Sequence, residues 1–141
     1  MEPARHIYEQ WHQAAKSRNT AALIALYADD AELESPLVPV ILGRDSGVLR
    51  GRAEILAFLE EGSRRRPNEL VRWYRDGRYL AAGRLLVWEY PRQTPDGSQV
   101  DILELMELDD DGKIRRHRIY WGWFGTQMLL ASAAAKASGQ G

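Results

Sequence analysis

An α+β fold, with helices packed on one face of an antiparallel sheet, is predicted by three features of this chain. Apolar residues recur at helical spacing through roughly the first half, they alternate with polar residues from Glu69 onward, and Asp-Gly turns punctuate the alternating part. Helical segments followed by a run of strands build such a layered domain. A length of 141 residues is that of one domain around a single core. Residues 1–125 are expected to form it, with 126–141 as a partly flexible tail.

Pro3 suits the first position of a helix, and Ile7, Tyr8, Trp11, Ala14 and Ala15 follow at helical spacing, so an amphipathic helix is predicted over residues 3–17. Thr20 is placed to cap a second short helix whose Leu23, Ile24, Leu26 and Tyr27 turn to the core. The run ADDAELESP leads into a short strand that Pro36 ends. Residues 37–51, LVPVILGRDSGVLRG, read as a long ordered loop, the kind of connection that often covers a site. RAEILAFLEEGSRRR restores the helical period through Ile55, Leu56, Phe58 and Leu59. Glu54 near its start and Arg64, Arg65 and Arg66 at its end follow the helix dipole, and Pro67 stops it. The arginines read as a solvated helix end, because nothing nearby extends a positive stripe. From Glu69 the runs ELVRWYRD, RYLAAGRLLVWEYPR and DILELMELDDDGKIRRHRIYWGW make a meander of at least four strands, with turns at RDGR, TPDGS and DDDGK. The tail is expected to begin as a helical turn and then fray.

With 19 basic and 20 acidic residues the formal net charge is -1, which gives no electrostatic reason to expect nucleic acid or an anionic membrane as partner. The absence of cysteine removes disulfides, thiolate metal sites and cysteine nucleophiles together. The N-terminus carries charges where a signal peptide has its apolar run, and no segment approaches the roughly 20 apolar residues of a membrane span, so a cytoplasmic location is expected. His6 and His12 do not share a helix face and have no third ligand nearby, so no metal is expected.

Two polar residues interrupt the apolar pattern of the last hairpin. Glu104 and His117 share the parity of Ile102, Met106, Ile119 and Trp121. If the DDDGK turn pairs Leu108 with Lys113, Glu104 lies directly opposite His117, close enough to share a hydrogen bond. Burial and mutual attraction act in opposite directions on such a pair, so neutral and ionic states are both open. Either state can move protons: His117 as general base or acid, Glu104 orienting its ring or holding a substrate oxygen. A satisfied core pair that fixes strand register remains the plain alternative. Glu89, in VWEYPR, is a second candidate for a buried acid, its face depending on the register across TPDGS. The aromatic residues, among them Trp11, Trp88, Trp121, Trp123, Tyr8, Tyr27 and Tyr74, serve as core or as the lining of a pocket for a flat ring system.

ALIALYADDAELESP, a glycine-rich loop, GRAEILAFL and LDDDGKIRRHRIYW together resemble the nuclear transport factor 2-like superfamily, of which SnoaL-like polyketide cyclases and ketosteroid isomerases are members. The resemblance covers nearly the whole chain and implies a cone-shaped α+β barrel, a strongly curved antiparallel sheet wrapped around N-terminal helices with a deep pocket between sheet and first helix. It also marks departures. Ser35 stands where the isomerases carry their acidic base, Trp11 where they carry a tyrosine, and Gly122 where cyclases and epoxide hydrolases carry an aspartate. Glu104 falls on the protonated acid of the isomerase oxyanion hole.

The expectation is a cofactor-independent enzyme with a hydrophobic pocket, acting by proton transfer as an isomerase, cyclase or dehydratase on a small oxygenated hydrophobic molecule. His117 and Glu104 carry the chemistry, and Trp11, Ser35, Tyr8, Tyr27, Trp88, Met106, Ile119 and Trp121 line the pocket. Its partner is that small molecule, with a second copy of the chain meeting the sheet's convex face as a homodimer. The rival is a non-catalytic ligand-binding or assembly module, and a closed cone with Trp11 packed over His117 would favour it.

Overall fold

The computed structural model describes residues 2–65, 72–73, 77–89, 92–93 and 99–139. Helix α1 (Pro3–Lys16) opens on Pro3, whose missing N–H costs nothing in a first turn, and buries Ala4, Ile7, Tyr8, Trp11, His12, Ala14 and Ala15. Asn19, not Thr20, caps α2 (Thr20–Ile24), its side chain accepting from the Ala22 N–H at 3.0 Å. Leu26 and Tyr27 have left the helix, and Tyr27 is the first residue of β1 (Tyr27–Glu34).

The predicted loop after Pro36 holds two elements. VPVIL forms the short helix α3 (Val38–Leu42), which ends on Gly43 in the left-handed conformation at φ 65°, and β2 (Val48–Arg50) pairs antiparallel with β1. Helix α4 (Arg52–Arg65) follows and buries Ile55 and Phe58. Its terminal Arg64 and Arg65 both close onto Glu61, which partly offsets the charge of this solvated helix end. Arg66 and the TPDGS turn lie outside the described residues, as does part of RDGR.

The remaining strands are β3 (Arg72–Trp73), β4 (Leu80–Ala82), β5 (Leu85–Glu89), β6 (Arg92–Gln93), β7 (Gln99–Val100), β8 (Ile102–Leu108) and β9 (Ile114–Trp121). Six form one curved sheet in the order β2-β1-β9-β8-β5-β4, and β3, β6 and β7 form a second. Among the described residues all pairs are antiparallel except β1 with β9, which run parallel and bring the first strand of the chain against the last. The inner face packs on α1, α2 and α4 around Leu33, Leu49, Ile55, Leu86, Met106 and Ile114, all fully buried. That is the α+β cone expected. On the outer face, where a second copy was expected, Leu80, Leu85 and Tyr120 are 76%, 37% and 49% exposed.

Helix α5 (Trp123–Ala137) is far longer than the single turn expected. The run MLLASAAAKA supplies strong helix formers, and that propensity outweighs the small, weakly amphipathic character that suggested fraying. Gly125 is its one buried residue, packed so closely against the Trp121 side chain that a Cβ would not fit.

Candidate active site

The Asp109–Gly112 turn joins β8 to β9. Asp109 Oδ1 accepts from the N–H groups of Asp111 and Lys113, each at 2.9 Å, and Gly112 takes φ 76°. The register it produces differs from the expected one by two residues: Met106 faces His117, and Glu104 faces Ile119. One residue of the difference comes from the turn. The other is a bulge at Arg115, because Leu108 pairs with Ile114 while Glu107 pairs with Arg116. A shift of two is one full side-chain period, so Glu104 and His117 stay on the inner face. They are diagonal neighbours rather than opposites, about 7–8 Å apart at the backbone, a gap that two long side chains close.

His117 Nε2 meets Glu104 Oε2, and His117 Nδ1 lies 2.7 Å from the Tyr27 hydroxyl. All three side chains are buried. The parallel pairing of β1 with β9 makes the third contact: Leu33 registers with His117 and Tyr27 with Ile114, and an irregularity between Tyr27 and Glu32 lets the phenol reach along β9. Two arrangements of protons satisfy this chain with a neutral imidazole. Either Tyr27 donates to Nδ1 and Nε2–H donates to the carboxylate, or a protonated Glu104 donates to Nε2 and Nδ1–H donates to the phenol oxygen.

Burial first, and the neighbouring Glu104 carboxylate second, drive the Tyr27 hydroxyl far above the ordinary phenol range, while the Trp11 indole acts in the opposite direction. The folded chain therefore holds a proton at Tyr27 that the unfolded chain releases near pH 10. Above that pH the folded state binds more protons than the unfolded, so stability falls as pH rises, by about 1.4 kcal/mol per pH unit for this one group. Urea midpoints taken at pH 9, 10 and 11 should show this fall, and Tyr27→Phe should flatten it; an equal slope in the variant sinks the assignment.

Trp11 packs on Trp88 with ring centroids 5.4 Å apart, and Tyr8 packs on Trp88 at 5.5 Å and on Tyr79 at 4.7 Å. The Tyr8 hydroxyl accepts from the Gly77 N–H at 2.6 Å. His12 lies within this aromatic group, 4.2 Å from Tyr8 and 5.2 Å from Trp88, with Nδ1 2.8 Å from the Tyr8 carbonyl. Met106, opposite His117, and Ile119, opposite Glu104, are buried beside the couple. Ser35 is buried, but its Oγ accepts from the Leu37 N–H at 3.1 Å and so shapes the turn into α3. Trp121 stands at the far end of β9, opposite Ile102 and stacked on Phe124.

Glu89 is exposed on the outer face, so it is no second buried acid. Trp123 is 64% exposed, and Tyr74 lies outside the described residues. Among the described residues no three His, Asp or Glu side chains gather as a metal site. Gly122 sits directly against Asp101, and a Cβ there would lie 2.8 Å from the Asp101 Cβ. That contact leaves no room for a side chain at position 122.

Residues 8–117 match the SnoaL-like domain model. The chain belongs to the SnoaL-like family. This places it in the nuclear transport factor 2-like superfamily, and solved structures share its fold. A SnoaL-like protein of unknown function from Burkholderia thailandensis E264 superposes with a TM-score of 0.71 at 23% identity, covering 87% of this chain and 97% of that one. A steroid delta-isomerase from Pseudomonas aeruginosa gives 0.65 at 19% identity over 97% and 96% of the two chains. A protein with a cystatin-like fold from Methylobium petroleophilum PM1 gives 0.64 at 18% identity over 86% and 76%. No curated protein matches the chain. Among the described residues of this SnoaL-like domain, no helix is long and apolar enough to cross a membrane.

Proposed function

We propose that this SnoaL-like domain is a cofactor-independent enzyme that moves protons on a small, oxygenated hydrophobic molecule, as isomerases, cyclases and dehydratases do. The buried Glu104–His117 couple supports the reading. It is an acid and a base in mutual contact on a face otherwise made of Ile102, Met106, Ile119 and aromatic rings. Apolar residues of similar volume in such a place are often neutral or more stabilising by about 1–4 kcal/mol, so stability alone gives little reason for the couple. The couple supplies an acid and a base between which a proton can pass, and Trp11, Trp88 and Tyr8 supply apolar walls. A steroid delta-isomerase built on the same fold is consistent with that chemistry.

Deuterium uptake into 1-tetralone and 2-cyclohexenone in D2O, followed by mass spectrometry, tests the reading whatever the natural product. The wild-type protein should accelerate uptake, and His117→Ala and Glu104→Gln should each lower the acceleration by about 100-fold or more. Full activity in both variants would refute these roles. One observation favours a second reading, a ligand-binding module: both ring nitrogens of His117 are already engaged within the chain. On that reading the ketones bind and no deuterium enters.

A further inference from the structure

We propose that the outer face of the six-stranded sheet docks a second copy of this chain, about a two-fold axis that runs along the strands between β1 and β9. Strand register sets the residues of this face in rows across the sheet. In one row Arg50 registers with Glu32, Glu32 with Arg116 and Arg116 with Glu107, so β2, β1, β9 and β8 carry charges of alternating sign. In the next row Val48 registers with Glu34, Glu34 with Arg118 and Arg118 with Leu105, an order of apolar, acidic, basic and apolar. The residues between the two rows, Leu49, Leu33, His117 and Met106, are buried on the inner face, so both rows stand on the outer one.

Each row, read backwards, is complementary to itself. Two sheets stacked face to face with their strands aligned are related by a two-fold axis either along the strands or across them. The axis across the strands sets each row against itself, Arg50 on Arg50 and Glu32 on Glu32. The axis along the strands reverses the row. It brings Arg50 against the second copy's Glu107 and Glu32 against its Arg116. In the next row the same axis brings Glu34 against Arg118 and Val48 against Leu105, so like charges meet in neither row. Within one chain Arg50 pairs with Glu32, Arg116 with Glu107 at 3.5 Å and Arg118 with Glu34 at 3.6 Å. These side chains are between 36% and 70% exposed, and ion pairs so exposed contribute little to folding. A second copy dries them and gives each guanidinium another carboxylate, which fixes the register of docking. A hollow of about 230 Å³ among Glu32, Glu34, Arg50, Arg116 and Arg118 straddles β1 and β9, and it leaves room for the opposing guanidinium groups.

Sedimentation at micromolar concentration is the test. Wild type should sediment at twice the chain mass of 16.1 kDa. Glu32→Arg and Arg116→Glu should each be monomeric, because either change sets like charges against each other across the axis. Mixed in equal amounts, the two variants should form a dimer, since every contact along that row is then between opposite charges. A monomeric wild type, which leaves this face to a different partner, overturns the proposal. Single variants that stay dimeric overturn it too, by showing that the copies meet through another surface, and so does a mixture that stays monomeric. Should either variant fail to fold, Glu107→Arg and Arg50→Glu repeat the design at the outer ends of the row, with the same outcomes expected alone and mixed.

Discussion

Glu104→Ala should lower the unfolding free energy by about 3–5 kcal/mol, one of the largest losses a single substitution in this chain should cause. Two costs add. His117 Nε2, buried with its residue at 1% exposure, loses its partner where water cannot replace it, and the space left by the carboxylate side chain has no neighbour free to fill it. Glu104→Gln keeps the shape and one hydrogen bond, so its cost should be about 1–2 kcal/mol. Replacing the couple together with Tyr27, as in Glu104→Met, His117→Phe and Tyr27→Phe, leaves no member of the chain without its partner and should recover most of the loss or exceed wild type while abolishing proton transfer. Urea unfolding of the four proteins reads these differences. A loss below about 1 kcal/mol for Glu104→Ala would mean that the couple is not the dry, mutually dependent pair described above.

The second large effect falls on the aromatic group under α1. Trp88 is 2% exposed and lies between Tyr8, Trp11 and His12, at centroid distances of 5.5, 5.4 and 5.2 Å. Trp88→Ala should cost about 3–5 kcal/mol, since the three rings carried by one helix cannot collapse into the space of an indole. Adding indole to the variant should restore part of the loss, with the unfolding midpoint rising as the concentration passes its Kd. Recovery in the variant and none in wild type is the expected pattern. A variant that loses stability without responding to indole would show that the group collapses around the missing ring, which makes it plain core and not the wall of a site.

How far the site is legible in the sequence depends on the range of the contacts that build it. Side-chain parity is local, and it puts Glu104 and His117 on the inner face correctly. Which residue opposes which depends on turn length and on the bulge at Arg115, neither of which alternation reveals, so the expected direct pairing of Glu104 with His117 is in fact a diagonal one. Nothing in the sequence marks Tyr27 as more than pocket lining. Its contact with His117 spans 90 positions and comes from a parallel pairing that no turn announces. Resemblance alone points Ser35 to the pocket, and no signal in the sequence marks its local bond to the Leu37 N–H. Helix α3 and strand β2 are hidden in an expected loop because three glycines and a proline outweigh two short apolar runs.

The bulge at Arg115 has the form of a one-residue insertion that the ladder has absorbed rather than transmitted. Deleting Arg115 would leave Ile114 against Leu108, Arg116 against Glu107 and His117 against Met106, with the inner face unaltered. A residue added farther along β9 and not looped out would instead turn the strand over, bringing Arg118 inward and sending His117 to solvent. Length variation in this hairpin is therefore tolerable at its turn-proximal end and destructive beyond it. Among related chains the couple is better located by counting from the inner apolar residues than from the Asp-Gly turn.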